Sequence, residues 1–196
     1  KVYTKGIYPD EPAYYLSQTE FNADSEVTNA ILPAGNSAAL QYSEVPIGRG
    51  NVTEIRQKSA DPADLDIISS ATYDMMFNKI KTATDTRGYI TTVYYDWEEY
   101  GLGDLNGDGI TTQKAGNPVK IVYPETTLPD GAKNIPVEYF WYNEFGQTVR
   151  YIDPEGYVTM WTYYPAGDPA YGYKKSVTVD YSVDPTEIDQ KISKTA

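Results

Sequence analysis

Asp104, Asn106 and Asp108 stand at alternate positions, with Gly109 and Ile110 directly behind them. With Asp104 counted as position 1, oxygen side chains occupy positions 1, 3 and 5, a glycine suited to a sharp turn occupies position 6, and a main-chain carbonyl follows at 7. That is the first half of a twelve-residue calcium loop, whose hard oxygen donors suit a hard cation. The expected ligands are Asp104, Asn106, Asp108 and the carbonyl of Ile110. Position 12 departs from the pattern, because Ala115 stands where a bidentate carboxylate belongs, so the ion would draw on water, Glu98, Glu99 or a neighbouring strand. Calcium held this way is structural, with a dissociation constant of roughly 10⁻⁴ to 10⁻³ M. The plain alternative is an Asp/Asn/Gly-rich surface turn joining two strands.

Little other chemistry is on offer. The 196 residues include no His and no Cys, which removes thiolate nucleophiles, imidazole or thiolate zinc sites and every Ser-His-Asp or Cys-His arrangement. Carboxylates are too many to single out a catalytic pair, so no enzyme is expected. Net charge is -12, from 28 acidic against 16 basic residues, a field that repels phosphate backbones and anionic headgroups. Nucleic acid is therefore not an expected partner, and neither is membrane insertion, since no apolar run approaches the ~20 residues of a spanning helix. Lys1 opens without a signal-peptide succession, which reads as a mature fragment of something longer. The tryptophans Trp97, Trp141 and Trp161, with the many tyrosines, could stack on glycan rings; packing between neighbouring strands is the competing role. Asn51-Val52-Thr53 matches the N-glycosylation triplet. Lys174-Lys175 makes no basic patch, and Asp61, Asp64 and Asp66 read as a solvated loop.

The elements that would hold these residues are strands. Twenty tyrosines, in part as pairs at Tyr14-Tyr15, Tyr94-Tyr95 and Tyr163-Tyr164, suit pleated sheets. Thirteen prolines and fifteen glycines cut the chain into strand-length pieces. Strands are predicted near 51-57, 67-74, 78-83, 89-95, 118-123, 136-142, 147-152, 157-163 and 175-181. Bulky groups on both faces of 157-163 predict cover on both sides. Residues 1-41 look like an irregular edge segment with a short helix near 23-31, and 184-196 like a polar tail with a helical turn around Pro185-Ile188.

The chain also repeats itself. Laying Tyr73 to Asp96 over Tyr142 to Tyr164, with one residue skipped at Thr84, matches Tyr73 with Tyr142, Asp85 with Asp153, Gly88 with Gly156, Tyr89 with Tyr157, Thr91 with Thr159 and Tyr95 with Tyr163. Each copy reads Tyr-Asp or Tyr-Asn, a β-run, an Asp-x-x-Gly turn and a second β-run. Glycine permits positive φ at the turn and aspartate bonds the turn's own N–H groups. One hairpin cannot bury its apolar face alone, so stacked copies must supply the core. Rings that recur in register belong to that packing.

At these residues the sequence resembles the YD-repeat, or Rhs-repeat, family. Full units lie at 72-96 and 142-159, and partial ones start at Gly50-Asn51 and Gly116-Asn117. The resemblance implies an all-β fold of stacked antiparallel β-hairpin repeats, forming a curved ribbon or an elongated sheet, with repeats over 42-183 and an insertion at 104-115. It implies a shell of the kind found in bacterial toxin cocoons and teneurins, and it carries no catalytic residues onto this chain. The self-cleavage core and toxin domain of such proteins are absent from these residues. The resulting expectation is a non-enzymatic structural protein, secreted or on the cell surface, whose partners are neighbouring repeats or other copies of itself. Competing readings are a self-assembling filament subunit and a calcium-dependent carbohydrate or adhesion module, with glycans as partners.

Overall fold

A computed structural model describes residues 2-5, 14-179 and 191-193. The chain divides into two compact units, Lys1–Ile90 and Thr91–Ala196. The first holds strands β1 (Val2–Lys5), β2 (Tyr14–Phe21), β3 (Val27–Ile31), β4 (Ser37–Tyr42), β5 (Val52–Lys58), β6 (Ile67–Tyr73) and β7 (Ile80–Thr84). Every one pairs antiparallel with the next. The second opens with β8 (Ile90–Tyr95) and a short helix α1 (Glu99–Leu102). It continues through β9 (Pro118–Val122), the small hairpin β10 (Thr126–Thr127) and β11 (Lys133–Asn134), then β12 (Val137–Tyr142), β13 (Thr148–Ile152), β14 (Val158–Tyr163), β15 (Lys174–Val179) and β16 (Lys191–Ser193). Its main sheet runs β8-β9-β12-β13-β14-β15-β16, all antiparallel. The fold is all-β, a succession of hairpins, and the sheet stays open.

All nine predicted strands are present within about three residues at their ends; residues 180 and 181 of the last lie outside the described residues. Where an irregular edge was predicted for 1-41, the described residues form β1 to β4 of the sheet. Asn22 Oδ1 accepts the N–H groups of Asp24 at 3.0 Å and Glu26 at 2.9 Å, and Ser25 takes φ 66°. The segment expected to be helical is thus a tight turn leading into β3. Small residues hid the strands: Asn29, Ala30 and Ile31 face Ala39, Ala38 and Ser37, types whose β preference comes from pairing more than from the residue. The predicted helical turn at 185-188 lies outside the described residues, while 191-193 forms β16 where a polar tail was expected.

Burial is shallow. Tyr95, Val119 and Val158 are the buried hydrophobic residues among those described, and β14, predicted to be covered on both faces, is half-buried apart from Val158 and the exposed Thr162. In such a sheet the cross-strand pair is the unit of stabilisation.

The repeat has a hydrogen-bonding logic of its own. At six strand ends the register slips so that two residues of the next strand oppose one, a β-bulge that pairs Phe21 with Val27, Tyr42 with Val52, Tyr73 with Ile80, Tyr95 with Pro118, Tyr142 with Thr148 and Tyr163 with Lys174. Four of these tyrosines donate their hydroxyl to the first carbonyl of the preceding strand. Tyr42 reaches Val27 at 2.7 Å, Tyr73 reaches Val52 at 2.8 Å, Tyr142 reaches Pro118 at 2.8 Å and Tyr163 reaches Thr148 at 2.7 Å. Each acceptor is itself the bulge partner of the previous repeat's aromatic, so every tyrosine fastens its hairpin to the bulge of the one before. Phe21 stands at the equivalent place without a hydroxyl and is exposed.

The acidic or amide residue after the aromatic closes the following turn. Asp74 accepts N–H groups from Met76, Phe77 and Lys79 at 3.0, 2.7 and 2.6 Å, and Asn143 accepts those of Phe145 and Gln147, both at 3.0 Å. In the predicted Asp-x-x-Gly turns, Asp85 and Asp153 accept N–H groups from residues two and four further on, and Gly88 and Gly156 hold φ of 85° and 91°.

Candidate functional site

The second unit carries one large departure from the hairpin pattern, the excursion between β8 and β9. Asp96 ties its neck. Fully buried, it accepts the N–H groups of Ala115 at 3.1 Å, Gly116 at 2.9 Å and Asn117 at 3.2 Å, while its own N–H donates to the Asn117 carbonyl at 2.9 Å. Hydrogen bonds to a carboxylate are among the stronger ones, and burial raises the cost of losing them. Ala115, position 12 of the motif, therefore sits at this neck.

Inside the excursion the chain winds through α1, whose end is marked by Gly103 at φ 84°. Asp104 then gathers the loop. One of its oxygens accepts the N–H groups of Gly107 at 2.7 Å and Asp108 at 3.1 Å, the other that of Gly109 at 2.8 Å. These main-chain donors hold its carboxyl below the ordinary range, Gly109 contributing most. Asn106 is buried and turns its amide onto the sheet, donating to the Phe140 carbonyl at 2.7 Å and to Asp108 at 3.3 Å. Asp108 accepts the Ile110 N–H at 2.7 Å, and Ile110 is exposed.

Glu99 is the group from outside the motif that the fold brings to this loop. Only 2% exposed, it accepts the Leu105 N–H at 3.0 Å. Burial first, then the negative charges of Asp108 and Asp104, push its carboxyl up to about 7, against the opposing bond from Leu105. The loop residues Asp104, Asn106 and Asp108 are thus together as the spacing requires, with Glu99 beside them. Their oxygens are largely engaged by the loop's own N–H groups, and among the described residues no three acidic side chains are grouped to hold a metal ion. The neck residue Asp96 escaped motif reasoning, although its place after Tyr95 in the Tyr-Asp pair marked it; the bond from Asn106 to Phe140 left no trace in the sequence.

The tryptophans do not form one platform. Trp141 on β12 pairs with Arg150, which pairs with Met160; Trp161, next along β14, points to the opposite face. The Arg150 guanidinium lies 4.5 Å from the Trp141 ring centre and the Lys174 ammonium 5.6 Å from that of Trp161. Trp97 keeps its indole N–H buried without a partner among the described residues. In the first unit, the Asn51 amide nitrogen, the atom a glycan would take, donates to Asn78. Asp66 there pairs with Arg56 at 3.1 Å, and Asp61 accepts the Ala63 N–H of its own turn at 2.9 Å, as a solvated loop would.

No family model matches the chain, and no curated protein matches it in sequence. Solved structures do. A crystal structure of TcdB2-TccC3-TEV is similar over 83% of this chain at 12% identity and a TM-score of 0.55, the match spanning 8% of that protein's length. A crystal structure of TcdB2-TccC3 aligns with 90% of this chain and 11% of its own, at 13% identity and a TM-score of 0.40. The Photorhabdus luminescens Tc holotoxin pore carrying the mutation TccC3-D651A aligns with 97% and 14%, at 11% identity and a TM-score of 0.25. The first shows that this chain shares the fold of part of that structure; the match spans a small part of each of the three.

Proposed function

We propose that this chain is a structural segment of an extracellular β-repeat shell or scaffold, without enzymatic activity. The carrying observation is the series of tyrosine hydroxyls that each fasten one hairpin to the bulge of the hairpin before. Such a device propagates a wall repeat by repeat. Two of its buried carboxylates serve the same end, since Asp74 and Asp96 are spent on backbone N–H groups. The partners on this reading are further repeats or other copies of the chain. An antibody against the chain tests it on the producing cells: reactivity on intact cells or in the medium, on a polypeptide or complex much larger than 21.9 kDa, is the expected result. A free cytosolic monomer of that size would refute it.

A structural calcium ion at the 104-110 loop is a second reading, favoured by the charge of Asp104 and Asp108 acting on the buried Glu99; because the three carboxylates are not grouped as they stand, it requires the loop to close on the ion. Thermal melts in millimolar calcium and in chelator test it. A midpoint raised by calcium, and not by magnesium, supports the site; coincident melts refute it.

A further inference from the structure

One face of the second unit's sheet runs against the charge of the whole chain. Through the register of β8, β9, β12, β13 and β14, Tyr94, Lys120 and Tyr139 form one cross-strand row, and Trp141, Arg150 and Met160 the next. Strand alternation puts both rows on the same side. The remaining positions of that side, followed in register from β8 to β15, are Val, Ile, Thr and Ser, with no Asp or Glu among them. In a chain with 28 acidic residues, a carboxylate-free face across six strands stands out. Glu138, on the same strand as the rings, points to the other side and engages Tyr151 and Tyr123 there.

Among the described residues, the two cations on this face form no ion pair. Lys120 lies 5.5 Å from the Tyr139 ring centre and Arg150 lies 4.5 Å from that of Trp141. Both are half-buried. A guanidinium held over an indole keeps the planar N–H fork that matches a carboxylate in bidentate fashion. Partial burial weakens solvent screening, so an anion arriving there gains more than it would at a fully exposed pair.

We propose that this face binds an acidic polypeptide segment, with carboxylates paired to Arg150 and Lys120 over the Trp141 and Tyr139 rings. A polypeptide fits better than a sugar chain because the cations already occupy the ring faces that a sugar would stack on. It fits better than nucleic acid because a phosphate backbone is held by many cation contacts at once, whereas a short segment with two carboxylates needs only the two that this face offers. The spacing agrees: Tyr139 and Trp141 are two residues apart on one strand, about 7 Å, which is also the distance between alternate side chains of an extended acidic peptide. The inference is independent of the calcium reading and does not depend on what the shell encloses.

Fluorescence anisotropy with labelled poly-L-glutamate as the probe tests it on the 196-residue chain. Saturable binding is expected, lost progressively with salt, and weakened at least tenfold in the double variant Lys120→Met, Arg150→Met, whose side chains keep their apolar stems over the rings. Arg150→Lys, which retains charge and fold but loses the fork, should weaken it severalfold. Failure to bind at millimolar probe, or equal binding by the variants, overturns the proposal. Polygalacturonate binding where poly-L-glutamate does not bind overturns it in favour of an acidic glycan. Salt-sensitive self-association that the double variant abolishes, with no probe binding, assigns the face to contacts between copies instead.

Discussion

Replacing Tyr142 by Phe removes one oxygen and leaves the ring in place, which isolates the link between successive hairpins. The Tyr142 hydroxyl donates to the Pro118 carbonyl at 2.8 Å, and burial together with the negative charge of Asp96 pushes it up to about 12. An ordinary hydrogen bond contributes about 1 kcal/mol net, and stranding a partly buried carbonyl adds a further desolvation cost, for a total near 1–2.5 kcal/mol. In a unit of about a hundred residues each kcal/mol moves the midpoint by about 4–8 °C. Urea titration followed by tryptophan fluorescence should show a lower midpoint with an unchanged slope, while Tyr157→Phe, whose ring is 57% exposed, should match the parent. The pH dependence is a second check. A tyrosine raised above its ordinary 10 in the folded state contributes stability that is whole below pH 10 and is lost as pH climbs from 10 towards 12. Parent and Tyr142→Phe should therefore converge in that window. If Tyr142→Phe unfolds with the midpoint of the Tyr157 control, the hydroxyls do not hold the hairpins together and the account of the repeat fails.

Asp96→Asn removes the charge that gathers three N–H groups at the neck and should cost about 2–4 kcal/mol; hydrogen exchange should accelerate at the amides of Ala115, Gly116 and Asn117, and unchanged protection there would count against the neck. Glu99, raised from 4.5 to about 7, favours folding fully below pH 4.5 and progressively less as pH rises to 7, by roughly 3 kcal/mol in all. Glu99→Gln should flatten that part of the stability profile in calcium-free buffer and raise the midpoint at pH 8; a parallel profile would show the carboxyl to be unperturbed. Gly156→Ala meets no neighbouring atom within 4 Å, yet places a Cβ at φ 91°, so it should destabilise by about 1–2 kcal/mol through backbone strain alone, measured by the same urea titration.

Much of the architecture was legible because its signals are local. Tyr, Thr and Val alternate between Gly- and Asp-marked turns, and the Asp85 and Asp153 turns close as their types require. The segment 14-42 was not legible, because Ala, Ser and Asn strands carry no hydrophobic period and Phe21 replaces the aromatic-hydroxyl signature of the repeat. At the candidate site, Asp104, Asn106 and Asp108 lie on one loop, which their spacing alone dictates. That Glu99 would be buried against them, that Ala115 would end at the neck, and that Asn106 would bond the Phe140 carbonyl 34 residues away depends on how the excursion folds back on the sheet.

By itself, then, the sequence determined the all-β class, the hairpin lengths, the turns and the absence of imidazole and thiol chemistry, since each follows from residue type and spacing along a few neighbouring positions. Tertiary structure alone decided which carbonyl each tyrosine hydroxyl reaches, and which side chains share a sheet face. A single bulge shifts the register by one residue, and with a side-chain period of two that reassigns everything beyond it to the other face. The six bulges therefore govern the links between repeats, and the register between them sets Lys120 and Arg150 over rings on a side free of carboxylates, a juxtaposition that no spacing in the chain announces.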